Sequence, residues 1–219
     1  MKTISFALVL LVASLNSLGQ AKKAKSGYYY DLSGNKIEGD FVYRLPEYSK
    51  RKGELIVYKR GKKTDHFTAE DIQGFVMEGD SFASLSFNSQ TFSLSNPVNE
   101  FVKTELEGEI DLYYLYYMKP DGYLIRGVVY KKELLDTPAK AMELAPQGLR
   151  FSYVVGKTTD GEGYFEYTSM GNSSKEKLIE LVKDYEELAE DIEGMGKSEI
   201  YQTLSGLILR YNTWYISKN

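Results

Sequence analysis

The sequence of 219 residues contains no cysteine, one histidine and one tryptophan. The absence of cysteine excludes disulfides, a cysteine nucleophile and a lipid anchor attached to cysteine. A zinc site built from cysteine and histidine is also excluded, because it needs three or four such ligands close together and only His66 is available. The sequence therefore predicts no metal ion, and nothing in it points to a cofactor.

Catalytic signatures are also missing. A Ser-His-Asp triad would have to use His66, but Asp65 directly before it points the opposite way in an extended segment. Neither a Gly-x-Ser-x-Gly turn nor a phosphate-binding glycine loop is present. We therefore assign no catalytic residue, and we predict that His66 is a surface residue near a turn.

Positive charge is in slight deficit, and long apolar runs are confined to the beginning of the chain. The 27 basic and 31 acidic residues give a net charge of −4, which argues against nucleic acid as a partner. No segment after residue 21 approaches the length of about 20 apolar residues that a transmembrane helix needs. The mature chain is therefore expected to have no transmembrane segment.

Residues 1–21 are typical of a signal peptide. Lys2 precedes an apolar stretch from Ile4 to Leu15, and the small residues Gly19 and Ala21 mark two cleavage sites that fit the pattern. The apolar stretch is too short for a membrane anchor. We therefore expect the chain to be exported, to the periplasm, the cell surface or the medium.

Tyrosine is abundant, with 19 residues against 10 phenylalanines, and the remaining pattern is mainly β. Short apolar segments separated by turn signals recur about every 8 to 12 residues, which is typical of antiparallel sandwiches and barrels. Asp136 to Pro146 is interpreted as a connecting turn or one short helical turn. The predicted strands are 27–32, 36–44, 53–59, 74–77, 81–87, 123–134, 151–155 and 163–167, with a further strand region at 101–117.

The segment 101–117 allows two interpretations. As one long strand it would align alternate acids on one face, about 7 Å apart, which only a bound cation would tolerate. As a hairpin turning at 107–109 it would pair Leu106 with Ile110 and Val102 with Tyr114, and leave Tyr113 on the opposite face. The hairpin is favoured because it brings the apolar residues together.

A period of 3.6 residues begins at Ser173 and predicts two helices, one reaching Ile192 and one from Ser198 to about Ile216. Gly194 and Gly196 separate them, so they should form an antiparallel pair. The predicted fold is α+β, mainly antiparallel β with a C-terminal helical hairpin. The predicted organisation is a signal peptide (1–21), a β-rich region (22–170) and the helical hairpin (171–219), packed on the β region as one unit.

Several short motifs occur in the order seen in a group of uncharacterised secreted Bacteroidetes proteins, and the chain resembles that group over most of its mature length. The motifs are Gly27-Tyr-Tyr-Tyr, Ile37-Glu38-Gly39, the segment 68–75, Phe101-Val102 with Gly108 and Leu112-Tyr113, and Tyr211-Asn212 in the helical tail. The resemblance implies export, a β-rich body and a helical tail. It implies no activity and no catalytic residues.

The tyrosine clusters at 28–30 and 113–117 place aromatic rings on both faces of their strands. One face should be core, and the other could bind a ligand through Tyr28, Tyr30, Tyr113 and Tyr117. The alternative is that a second sheet and the helices cover both faces. The hypothesis is an exported, non-catalytic binding or interaction protein whose partner is an envelope protein or a glycan. A glycan hydrolase that uses paired carboxylates is the alternative, and a structural element of a surface assembly stays open.

Overall fold

The computed structural model describes residues 24–47, 52–60, 62–89, 96–119, 149–157, 163–168 and 173–218. Within these ranges the chain forms ten strands and then three helices. This confirms the predicted fold class, mainly antiparallel β followed by C-terminal helices. The predicted signal peptide at 1–21, the strand at 123–134 and the connection at 136–146 lie outside the described residues.

The ten strands come before the three helices in the sequence. Their bounds are β1 Lys25–Asp31, β2 Lys36–Arg44, β3 Glu54–Lys59, β4 Lys62–Phe67, β5 Ile72–Met77, β6 Asp80–Asn88, β7 Val98–Leu106, β8 Asp111–Met118, β9 Leu149–Gly156 and β10 Tyr164–Tyr167. The helices are α1 Ser173–Leu181, α2 Glu186–Gly194 and α3 Lys197–Lys218.

All ten strands belong to one sheet, in the order β10-β9-β8-β7-β6-β5-β1-β2-β3-β4. One edge of β6 pairs with β7, while its other edge pairs first with β5 and then, through Phe87 and Asn88, with β10. The β10–β6 pairing is parallel, and it closes β6 to β10 into a five-stranded ring. β5, β1, β2, β3 and β4 extend away from the ring as an open sheet that ends at β4.

The two faces of the sheet carry two separate apolar cores. The smaller core fills the ring with buried residues from β6 to β9. The larger core lies on the other face and combines sheet residues with the buried stripes of the three helices. At its centre the rings of Phe75 and Phe82 stack at 4.5 Å, and the ring of Tyr43 meets both edge-on. The members of the ring core are Phe87, Val102, Tyr113, Leu115 and Val154.

The hairpin predicted within 101–117 is present, but its predicted register is wrong. Lys103 pairs with Tyr114 and Leu106 with Leu112, with a bulge between Thr104 and Leu106. A shift of one residue exchanges the faces of a strand, so Val102 lies inside the ring with Tyr113 rather than opposite Tyr114. The shift arises because Ile110 leaves the strand and is fully buried in the larger core.

The first predicted helix is interrupted, which the 3.6-residue period of apolar residues did not indicate. α1 ends at Leu181 and α2 begins at Glu186, because Asp184 in the break accepts hydrogen bonds from the hydroxyl of Tyr211 at 2.8 and 2.9 Å. The break also allows the ring of Tyr185 to stack on Trp214 at 4.6 Å. The second helix is confirmed as α3, and Arg210 on α3 joins it to α2 through ion pairs with two acids.

Strand β4 was not predicted. The predicted strands left 62–67 out, and this segment is mostly polar. The segment becomes a strand because β3 offers its free edge, and Phe67 packs against Tyr29 with a ring separation of 5.1 Å.

Candidate functional site

The end of the β1–β2 hairpin carries an unusual concentration of exposed apolar side chains. Five large apolar side chains are exposed in the described part of the chain, and three of them lie on this hairpin. Tyr30 is 37% exposed, Leu32 is 64% exposed and Ile37 is 37% exposed. Ile37 pairs with Tyr29 and so lies on the face of the hairpin opposite Tyr30, which places exposed apolar side chains on both faces of this end. We call residues 30–37 the hairpin tip.

The turn of the hairpin tip is held by Asp31. Its carboxylate accepts hydrogen bonds from the backbone N–H groups of Ser33 at 2.9 Å and Asn35 at 2.8 Å, and from the Asn35 side chain at 2.9 Å. These bonds, led by the one from the Asn35 side chain, lower the pKa of Asp31. Gly34 completes the turn with a φ of +83°, which a residue with a side chain adopts only at a cost.

A neighbouring strand also fixes the position of Leu32. The side-chain amide of Gln73 on β5 donates a hydrogen bond to the Leu32 carbonyl at 3.2 Å. On the buried face of β1, the ring of Tyr29 contacts Phe41 and Phe67 in the larger core. The hairpin tip is therefore a preorganised structure that presents Leu32 to solvent.

Two of the four predicted ligand-binding tyrosines lie on β1, Tyr30 in the hairpin tip and Tyr28 beside it. The rings of Tyr28 and Tyr30 meet edge to face with their centres 5.5 Å apart, on the face of β1 opposite Tyr29. The ammonium group of Lys36 lies 4.0 Å from the centre of the Tyr28 ring and covers it. Sequence alternation found this pair, since i and i+2 on a strand share a face.

The other two predicted tyrosines lie in a different environment. Tyr113 is a member of the ring core and meets Tyr164 edge-on at 5.8 Å. Tyr117 packs partly buried against the same core. The structure therefore separates the four predicted residues into a pair on the open sheet and a pair inside the ring.

A buried acid, which no sequence pattern indicated, lies against Gly53 just before β3. Glu100 on β7 is 3% exposed, and its carboxylate accepts a hydrogen bond from the backbone N–H of Gly53 at 2.9 Å. Burial raises the pKa of Glu100 from 4.5 to about 7, although this hydrogen bond and the charge of Lys52 oppose the rise. No sequence signal marks Glu100, because its burial depends on the chain folding over it.

A second acid near Glu100 has a pKa that is shifted in the opposite direction. Glu70 is exposed, and hydrogen bonds from Lys52 at 2.6 Å and Asn99 at 3.2 Å lower its pKa. The charge of Glu70 also raises the pKa of Glu100. At mildly acidic pH, Glu100 is therefore protonated while Glu70 is ionised.

His66 lies exposed on β4 in contact with an acid. Its Nδ1 contacts Oε1 of Glu54, and Oε2 of Glu54 accepts a hydrogen bond from Arg44 at 2.5 Å. The three side chains form a polar cluster across β2, β3 and β4, in which the side chains of Arg44 and Glu54 are each 22% exposed. No serine hydroxyl is bonded to His66 in the described residues.

Neither a metal site nor a membrane-spanning helix is found in the described ranges. His, Asp and Glu side chains there do not gather in groups of three that could hold a metal ion. The helices among these residues are not both long and apolar enough to cross a membrane. No protein-family model, curated protein or solved structure matches the chain. The function therefore has to be inferred from the geometry.

Proposed function

We propose that this protein is an exported, non-catalytic binding protein that contacts a protein of the cell envelope through the hairpin tip. One observation carries the proposal: Tyr30 and Leu32 are exposed at the end of β1, and Ile37 on the other face of the hairpin, around a turn that the Asp31 carboxylate holds in place. Exposing apolar groups in water is unfavourable, so apolar side chains concentrated on a rigid projection are best explained by a partner that covers them.

The rigidity of the hairpin tip supports a binding role. A loop that must be ordered on association loses conformational entropy, and this loss reduces affinity. The hydrogen bonds of Asp31 and the anchor from Gln73 order the turn in the free protein. The hairpin tip can therefore bury Leu32 against a partner with little further ordering.

The chemistry of the hairpin tip favours a protein partner over a glycan. A sugar stacks on the open face of an aromatic ring, but Lys36 covers the Tyr28 ring and Tyr28 lies edge-on to Tyr30. The aliphatic side chains of Leu32 and Ile37 suit an apolar pocket on a protein surface. The glycan partner that the sequence also allowed is therefore the less favoured alternative.

Export is supported by sequence features that lie outside the described residues. The signal-peptide pattern of residues 1–21 and the resemblance to secreted Bacteroidetes proteins both favour it. An exported chain without cysteine must rely on its core for stability. The two cores described above provide that stability without disulfides.

Replacing Tyr30 and Leu32 by serine is expected to abolish partner binding while leaving the fold intact. Leu32 is well exposed, whereas the Tyr30 ring also packs on Tyr28, so the free energy of unfolding should fall by about 0.5 to 1.5 kcal/mol in total, which leaves the protein folded. The measurement is affinity capture from solubilised envelope fractions, comparing the wild-type chain with the Tyr30→Ser/Leu32→Ser variant at equal loading.

The matched control replaces Leu209 and Ile216, two apolar residues exposed on α3, by serine. A protein captured by the wild type and by this control, but lost with the hairpin variant, supports the proposal. If both variants capture the same proteins as the wild type, the hairpin tip is not the contact surface. Release of the captured material by soluble glycans, rather than by an excess of free wild-type protein, would assign the site to a glycan.

A carboxylate-dependent glycan hydrolase is the second candidate function, and the contrast between Glu100 and Glu70 is the observation that favours it. Two acids with pKa values shifted in opposite directions can act as acid and base. The burial of Glu100 argues against this function, because a substrate would have to displace Gly53, whose backbone N–H is bonded to the Glu100 carboxylate. Reducing-sugar release from a polysaccharide panel, lost in Glu100→Gln, would establish hydrolysis and overturn the non-catalytic proposal.

A further inference from the structure

Strand β4 is the terminal strand of the sheet within the described ranges. β3 is its one strand partner in the described ranges. Most of its side chains from Lys62 to Phe67 are exposed. The N–H and C=O groups on the free edge of such a strand can pair with an additional extended segment.

The turn between β3 and β4 concentrates positive charge. Lys59, Arg60, Lys62 and Lys63 are all exposed, and they lie within five positions of a chain whose net charge is −4. The Nζ atom of Lys59 lies 3.8 Å from Oδ2 of Asp65, and both side chains are well exposed. The other three cations form no ion pair in the described part of the chain, so their charge is available to a partner.

This charge selects which strand can pair with β4. Lysines on edge strands deter pairing with strands of like charge, because like charges opposite each other are destabilising. A second copy of this chain paired in parallel would place Lys62 and Lys63 against the same cations. An acidic strand would instead gain attraction from Arg60, Lys62 and Lys63 together with the backbone bonds.

We infer that the outer edge of β4 binds an extended acidic peptide segment of a partner protein, which adds to the sheet as a further strand. The outer edge of β4 is not part of the hairpin tip, although Phe67 on β4 packs against Tyr29 on β1. Binding combines backbone hydrogen bonds to β4 with attraction to the cations beside it, and salt should weaken it.

A fluorescent peptide in which glutamate alternates with valine is the probe for this inference. We expect it to bind the wild-type chain more than about tenfold more tightly than a peptide of equal charge in which proline replaces valine. Proline removes the N–H groups that a strand needs. Anisotropy gives the affinities, and hydrogen exchange should show protection of residues 62–67 by the first peptide.

Charge reversal provides the matched test on the protein side. Lys62→Glu/Lys63→Glu should weaken binding by more than about tenfold, whereas Lys177→Glu/Lys183→Glu, which changes the net charge equally at another exposed site, should not. The inference is overturned if neither peptide binds, or if both charge reversals weaken binding equally. It is also overturned if the proline peptide or inorganic polyphosphate binds as tightly as the valine peptide. The Tyr30→Ser/Leu32→Ser variant should bind the peptide normally, so the outcome is independent of the hairpin tip.

Discussion

Replacement of Asn212 by alanine is expected to lower the free energy of unfolding by about 2 to 4 kcal/mol, because two buried backbone groups lose their partners. The side chain of Asn212 on α3 accepts a hydrogen bond from Ile110 N–H and donates one to Ile110 C=O, both at 2.9 Å. Ile110 is fully buried, so water cannot replace these bonds without entering the core. Denaturant unfolding at neutral pH provides the measurement.

The matched control for Asn212 is Gln202→Ala, which removes an exposed amide from the same helix and should change stability by less than about 0.5 kcal/mol. Gly108 offers an independent test of the same contact. A Cβ at position 108 would lie 2.4 Å from Nδ2 of Asn212, so Gly108→Ala should destabilise the wild type but cost little in the Asn212→Ala background. Additive effects of the two substitutions would contradict the proposed contact.

Replacement of Glu100 by glutamine is expected to stabilise the protein above neutral pH and to flatten the dependence of its stability on pH. The folded state retains the Glu100 proton up to a pKa of about 7, whereas the ordinary value is 4.5. Folding therefore binds a proton between these values, and the free energy of unfolding falls as pH rises through them. At about 1.4 kcal/mol per pH unit, the wild type should lose about 3 kcal/mol across this range relative to the variant.

The difference between the two proteins is measured by denaturant unfolding at a series of pH values from about 5 to about 8. Glutamine retains an oxygen that can accept the hydrogen bond from Gly53, so it tests the charge rather than the contact. Glu70→Gln is the control, since Glu70 is exposed and its pKa is already low. A stability difference between wild type and Glu100→Gln that stays constant with pH would show that Glu100 is not buried as described.

Local patterns in the sequence predicted much of the fold. Alternation of polar and apolar residues located most strands, and the turn at Gly34 and the glycines at 194 and 196 marked where elements end. The same alternation placed Tyr28 and Tyr30 on one face of β1. These features depend on neighbours in sequence, which is why one sequence is enough to find them.

The remaining features depend on contacts between distant residues. The register of the β7–β8 hairpin follows from Ile110, which Asn212 holds from 102 positions away in sequence. The break between α1 and α2 follows from Asp184 meeting Tyr211. Ring closure by β10 and the burial of Glu100 likewise arise only when the sheet is assembled. No local period encodes such contacts.

The most direct measurement of the binding role is site-specific photo-cross-linking in cells that produce the full chain. A photoreactive amino acid replaces Leu32 at the hairpin tip or, as the control, Leu209 on α3, which is comparably exposed. We predict a discrete, light-dependent adduct with an envelope protein from position 32 and none from position 209. The absence of an adduct from position 32, or the same adducts from both positions, would contradict the assignment of the hairpin tip as the contact surface.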